Sequence, residues 1–194
     1  MNTLNVQRRD TETKAKRLRR QGYVVGNLFG REIEGSIPLK IEKKEAERIH
    51  KECLKGCQLY LNLDGKQYDA LLKDIQYDSM SKQILEMEFQ ALVKGEKVHS
   101  VTEIVLHNKE KVVQGILEQF LEEVSYKAAP EDITDKIDID CSNLRLGDKI
   151  TVADLDIAKN KKIDVLTPLD AVIVHVVAPK NAKDEDEEEA SEEK

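Results

Sequence analysis

Apolar and polar residues alternate with a period of two along much of this chain, and the runs are short. Leu4-Asn5-Val6-Gln7 alternates as a half-buried strand does. Tyr23 to Gly30 reads as a second strand ended by glycine, and Ile37 to Ile41 as a third, where Pro38 favours a sheet edge or a strand start. Gln58 to Leu63 predicts another strand, Asp64-Gly65 a tight hairpin turn, and Lys66 to Gln76 the returning partner. Ile84 to Leu92 alternates again.

Two stretches break this rhythm. Glu42 to Lys55 has helical composition, with Ala46, Ile49, Cys53 and Leu54 on one side. The segment from about Thr13 to Gly22 predicts a shorter helix, with Thr13 as its cap and Leu18 as its only large apolar anchor. So thin an anchor predicts a segment that orders fully only against a partner. On that helix Lys16, Arg19 and Arg20 share a face and Arg17 points elsewhere.

The pattern changes at Lys94-Gly95-Glu96-Lys97. Beyond it, strands are expected at Val101–Val105, Val112–Leu117, Phe120–Ala128, Lys136–Asp140, Lys149–Thr151 and Val172–Val177, with a tight turn over Leu144–Lys149 feeding the fifth. No helical crossovers separate them, so a parallel α/β sheet is not expected. The expected organisation is a first domain over 1–92, a mainly β acidic domain over 93–179, and an acidic tail over 180–194. That tail, with its Asp184–Glu189 run, has nothing apolar to fold on. The fold class is mainly β with short helices (α+β).

Composition agrees with a modest, aliphatic core. The 194 residues are 40% hydrophobic and only 4% aromatic, without tryptophan. No apolar run reaches the roughly 18 residues that cross a membrane, and charge starting at Arg8 leaves no apolar signal region, so a cytoplasmic protein is expected.

Charge changes the picture more. The net formal charge is -7, yet Arg8, Arg9, Lys14, Lys16, Arg17, Arg19 and Arg20 gather within one short stretch against only Asp10 and Glu12. Such a cluster displaces counterions from a phosphate backbone whatever the total charge. Tyr23 and Phe29 follow directly, and rings beside cations suit base or sugar stacking. With no helix-turn-helix or zinc finger to read a major groove, RNA is favoured over DNA. The second region carries more acids than bases and does not favour phosphate.

No phosphate loop, nucleophile elbow or metal motif is present, so neither an enzyme nor a cofactor is expected. His50, Cys53 and Cys57 lie within one helical span but lack a fourth ligand. The odd cysteine count argues against a disulfide framework, and Cys53, Cys57 and Cys141 are expected as thiols in or near a core.

Three strings carry a family resemblance: Lys14 to Gly22 with Val24 to Gly30; Leu72-Lys73-Asp74-Ile75-Gln76; and Ile137 to Asp148. In this order they resemble the bacterial large-subunit ribosomal proteins that bind 5S rRNA, in the longer two-domain form called general stress protein Ctc. The resemblance implies a six-stranded N-terminal β-barrel followed by a second mainly β domain. It implies 5S rRNA as partner, in the central protuberance of the large subunit. It places Arg9, Lys14, Arg17 and Arg19 on the family's basic positions, extended here by Lys16 and Arg20, with Phe29, Gln76 and Glu88 supplying finer recognition at the barrel edge. The chain departs from the family pattern at several positions. Phe29 replaces a tyrosine, Val25-Gly26 a Pro-Ala, and Thr13-Lys14-Ala15 a Gly-Lys-Gly. Glu86-Met87-Glu88-Phe89 stands for His-x-Asp-Phe, and Glu86 there repels phosphate unless it points away. The alternative reading is a divergent copy that binds RNA weakly and uses its acidic half to hold basic proteins.

Overall fold

The structure, a computed structural model, describes residues 2–112 and 115–178. The expected acidic tail, and Val113 and Gln114 of the expected strand over 112–117, lie outside those residues.

Six strands build the N-terminal half: β1 (Asn2–Arg8), β2 (Tyr23–Phe29), β3 (Ser36–Glu42), β4 (Gln58–Leu63), β5 (Lys66–Tyr77) and β6 (Ile84–Ala91). They close into a barrel in the order β1-β3-β2-β6-β5-β4. Hairpins supply the antiparallel pairs β2–β3, β4–β5 and β5–β6, while β1 joins β3 antiparallel across the intervening β2 segment. Asp64 and Gly65 both take positive φ (51° and 82°), as a two-residue turn matched to strand twist requires. Closure comes from two parallel pairs, β1 with β4 and β2 with β6. At the second, a Cβ on Gly26 would stand 2.6 Å from the Met87 carbonyl oxygen, so only glycine admits that approach. The alternating inward residues, among them Leu4, Val24, Leu28, Leu39, Leu61 and Phe89, form one buried cluster.

A closed barrel has no edge strand, so the expected edge does not exist. Pro38 is accommodated otherwise: β3 pairs with β1 only at Lys40 and Leu39, and the missing N–H falls where β1 has ended. There the Pro38 carbonyl accepts from the Arg9 amide at 2.9 Å.

Two helices cover the barrel. In α1 (Ala15–Arg20) the cap position is Lys14, not Thr13, and no side chain caps it. Leu18 is only 7% exposed, and it seats this helix on the barrel. The second helix, α2 (Lys43–Glu52), is shorter than its composition suggested. Its chain turns extended at Cys53, so Cys53 and Leu54 lie beyond the helix. Gly56 (φ +87°) then reverses the chain and brings Cys57 back to Cys53, 5.5 Å away between Cα atoms. That separation suits a bridge, and the two sulfurs are joined as a disulfide rather than standing as separate thiols. Cys141 is a buried free thiol.

The second half holds β7 (Val98–His107), β8 (Ile116–Gln119), β9 (Glu123–Ala128), β10 (Lys136–Asp140), β11 (Lys149–Thr151), α3 (Asp156–Lys159), β12 (Asp164–Val165) and β13 (Val172–Val177). They form a four-stranded sheet, β10-β7-β9-β12, and a three-stranded sheet, β11-β13-β8, around a separate core that includes Val124, Tyr126, Ile173 and Val174. Two expected strands shift. The one expected over Val112–Leu117 is β8 at Ile116–Gln119, and the one over Phe120–Ala128 begins only at Glu123. Phe120 and Leu121 are tied instead to the Ile173 carbonyl, which carries the chain from one sheet to the other.

The halves meet at Gly56. A Cβ there would overlap the Val101 carbonyl, Ser100 Oγ donates to the Gly56 carbonyl at 3.4 Å, and Lys73 Nζ donates to the His99 carbonyl at 2.7 Å. Among the described residues, no helix is long and apolar enough to cross a membrane.

Candidate nucleic-acid interface

The chain leaves β1 at Arg9, turns through Asp10–Lys14 and runs back along the outside of the barrel as α1. The turn is local chemistry: the Asp10 side chain accepts from the Glu12 amide at 3.0 Å, and the Thr13 amide donates to the Asp10 carbonyl at 3.3 Å. Arg9 completes it, its Nη2 donating to the Thr13 carbonyl at 2.9 Å. Its Nε is buried without a protein partner, so Arg9 holds the loop with one end of its fork and keeps an unused donor.

Within α1, Lys16, Arg17 and Arg20 are exposed, while Arg19 is half-buried. Arg19 Nη1 reaches the Leu85 carbonyl at 3.4 Å, at the start of β6. The expected partition of faces is therefore revised: Arg17 is solvent-facing with Lys16 and Arg20, and Arg19 ties the helix to the sheet. Leu18 is buried, and so is Val25 on β2, the strand against which the helix packs.

Among the described residues, none of the seven bases from Arg8 to Arg20 forms an ion pair. The contrast with α2 is direct. There Arg48 bonds Glu45 at 2.8 Å and Glu52 at 3.3 Å, and Lys43 pairs with Glu47 at 3.9 Å. α2 pairs Lys43 and Arg48 with its own carboxylates, whereas α1 contains no carboxylate and leaves Lys16, Arg17 and Arg20 exposed.

Beside α1, the outer wall of β2, β6 and β5 forms a polar face whose rows are set by register. Asn27, Glu88 and Asp74 lie abreast, and Glu86 stands opposite Gln76. Phe29 is half-buried at the far end of β2, level with Gln90 and Ser36. Because Arg9 bonds Pro38, and Pro38 stands opposite Asn27, the basic segment spans the length of β2 from near Phe29 to Tyr23. The Tyr23 ring is engaged by Lys40, whose Nζ is 5.4 Å from its centroid.

Glu86 does not stand free. Its Oε1 accepts from Asn27 Nδ2 at 3.0 Å, which holds the carboxylate sideways along the sheet. Asp74 pairs with Lys55 at 3.5 Å. Asn27 and Asp74 were not singled out from sequence as site residues. The period of two, counted from Val25 to Phe29, puts Asn27 on this face, and nothing in composition signals its bond to Glu86. The arrangement can do two things: the helix offers cations to a phosphate backbone, and the wall offers carboxylate acceptors and amides to base edges.

His50, weighed as a metal ligand, has its Nδ1 3.0 Å from the Tyr77 hydroxyl, and the neighbouring cysteines bind each other.

Comparison with known proteins covers both halves. The model of the ribosomal L25p family matches residues 4–89, and that of the C-terminal domain of ribosomal protein TL5 matches residues 97–180. A protein of Dictyoglomus thermophilum, named large ribosomal subunit protein bL25, is 35% identical over 185 residues, covering 91% of this chain and 88% of its own. Proteins of the same name from Halothermothrix orenii and Enterococcus faecalis are 32% and 30% identical, covering 92% and 90% of this chain and 83% and 86% of theirs.

Proposed function

Since the chain belongs to the L25p family of bacterial large-subunit ribosomal proteins, with the TL5-type C-terminal domain, we propose that it binds 5S rRNA through its N-terminal barrel. The family is structural and not enzymatic. Its place would be the central protuberance of the large subunit, on cytoplasmic ribosomes, and a link to stress belongs to the same proposal.

The observation that carries the reading is the unpaired cationic helix on an otherwise charge-balanced barrel. Lys14, Lys16, Arg17 and Arg20 meet phosphates directly, while Arg9 and Arg19 fix the segment and add charge. Recognition beyond charge falls to the adjoining wall. Phe29 offers a ring face for stacking, Gln76 an amide, and Glu88 a carboxylate that accepts from an exocyclic amine or imino group. Glu86 stands opposite Val25, beside α1, and in this reading its bond to Asn27 makes the carboxylate part of the wall's hydrogen bonding rather than a free anion. Its charge therefore need not oppose binding.

Replacing Arg17, Arg19 and Arg20 together by alanine tests the reading. Each phosphate contact contributes about 0.7–0.9 to the slope of log K against log salt. The triple variant should therefore bind 5S rRNA more weakly and with a flatter slope. Unchanged affinity and an unchanged slope would remove α1 from the interface.

A further inference from the structure

The second half ends its four-stranded sheet at β10, which has β7 on one side and, among the described residues, no strand on the other. The alternation of a strand fixes which groups face that open side. The Cys141 amide donates to the His107 carbonyl at 3.0 Å, so the amides of Ile139 and Ile137 turn toward β7 and those of Asp138 and Asp140 turn away from it. Beside this edge runs a cleft of about 600 Å³, walled by all of β10 and, across from it, by Asp154–Ile157, Asn160 and Ile163. An unpaired sheet edge lying in a cleft is a template for one more strand.

We propose that β10 receives an extended segment of another protein, in which Lys or Arg alternates with branched apolar residues. The alternation of β10 itself dictates that pattern. Asp138 and Asp140 are exposed on the outer face, whereas Ile137 and Ile139 turn inward to the core with Ile157 and Ile163. A strand laid alongside therefore meets carboxylates with every other side chain and aliphatic surface with those between.

Charge favours a basic occupant. Asp138, Asp140, Asp154 and Asp156 line the cleft, against Lys136 on β10 and Lys159 nearby on α3. Hydrogen bonds keep three of these carboxylates ionised below the usual range: His107 and Lys136 act on Asp138, Asn108 and Ser142 on Asp140, and Thr151 on Asp154. The same charge repels a nucleic acid and the chain's own acidic run from Asp184 to Glu189. The surface is thus separate in place and in sign from the RNA-binding helix.

The probe is a synthetic peptide, acetyl-(Lys-Val)₃-Lys-amide, titrated into the full-length protein, with amide hydrogen exchange followed at Asp138 and Asp140. A second peptide of the same sequence, N-methylated at alternate residues, keeps the charge but cannot extend a sheet. The expected result is saturable binding that slows exchange at Asp138 and Asp140 by about tenfold or more. The N-methylated peptide and a D138K/D140K variant should each lose about tenfold in affinity, roughly 1.4 kcal/mol. Three results would overturn the proposal: no binding at millimolar peptide, equal binding of the N-methylated peptide, or binding without protection at Asp138 and Asp140. Self-association of the protein that D138K/D140K abolishes would also overturn it, by assigning the edge to a second copy.

Discussion

Arg9 illustrates how a basic residue in a binding cluster differs from a bare charge. Its guanidinium spans from the end of β1 to the Thr13 carbonyl, and so sets where α1 begins. A lysine keeps the charge but not the planar fork that makes such a bridge. R9K should therefore weaken 5S rRNA binding while leaving the salt slope close to that of the unaltered protein, since the count of cations is unchanged. A slope that falls with the affinity would instead make Arg9 a simple phosphate ligand. The same scale explains Glu86. Sequence could say only that an anion sits where the family has a histidine; its restraint by Asn27 is a contact between positions 59 residues apart, and no local pattern encodes that.

At the level of the element, α1 is where the proposed RNA binding depends most closely on local stability. Six residues make too short a helix to persist on propensity alone, since isolated helices below about 12 residues are marginal in water. Leu18 holds it to the barrel. Leu18→Ala should melt the helix locally rather than unfold the barrel, because a peripheral element opens at a lower free energy than the core. The expected signs are fast amide exchange at Leu18 and Gln21, little change in Tm, and a loss of RNA affinity although no charge has been removed. Unaltered RNA affinity with the helix melted would show that its order is not needed. Strand β10, by contrast, was legible to the residue from sequence, as were β4, β11 and β13: β4 and β10 alternate cleanly, and β13 is a short run of β-branched residues. The two-residue β12 and the four-residue α3 were not, since so short a span carries no period.

Across the whole molecule, the mainly β class and the short helices were readable from periodicity, and the six-stranded barrel from resemblance. Periodicity alone could not reveal closure. The parallel pairs β1–β4 and β2–β6 join strands distant in sequence, and their register depends on packing such as the Gly26–Met87 approach. The cysteine bridge was missed for a related reason: an odd count says nothing about a reversal at Gly56 that returns Cys57 to Cys53. Charge separation was legible from the start, and the fold gives it a place, with unpaired cations on the barrel's helix and carboxylates along the cleft of the second half. The most direct test of the central claim is a titration of the full-length protein with 5S rRNA at several salt concentrations, against an unrelated structured RNA of similar length as competitor. Tight, salt-sensitive binding that the competitor fails to displace is the predicted result. Weak binding, displaced equally by either RNA, would contradict it.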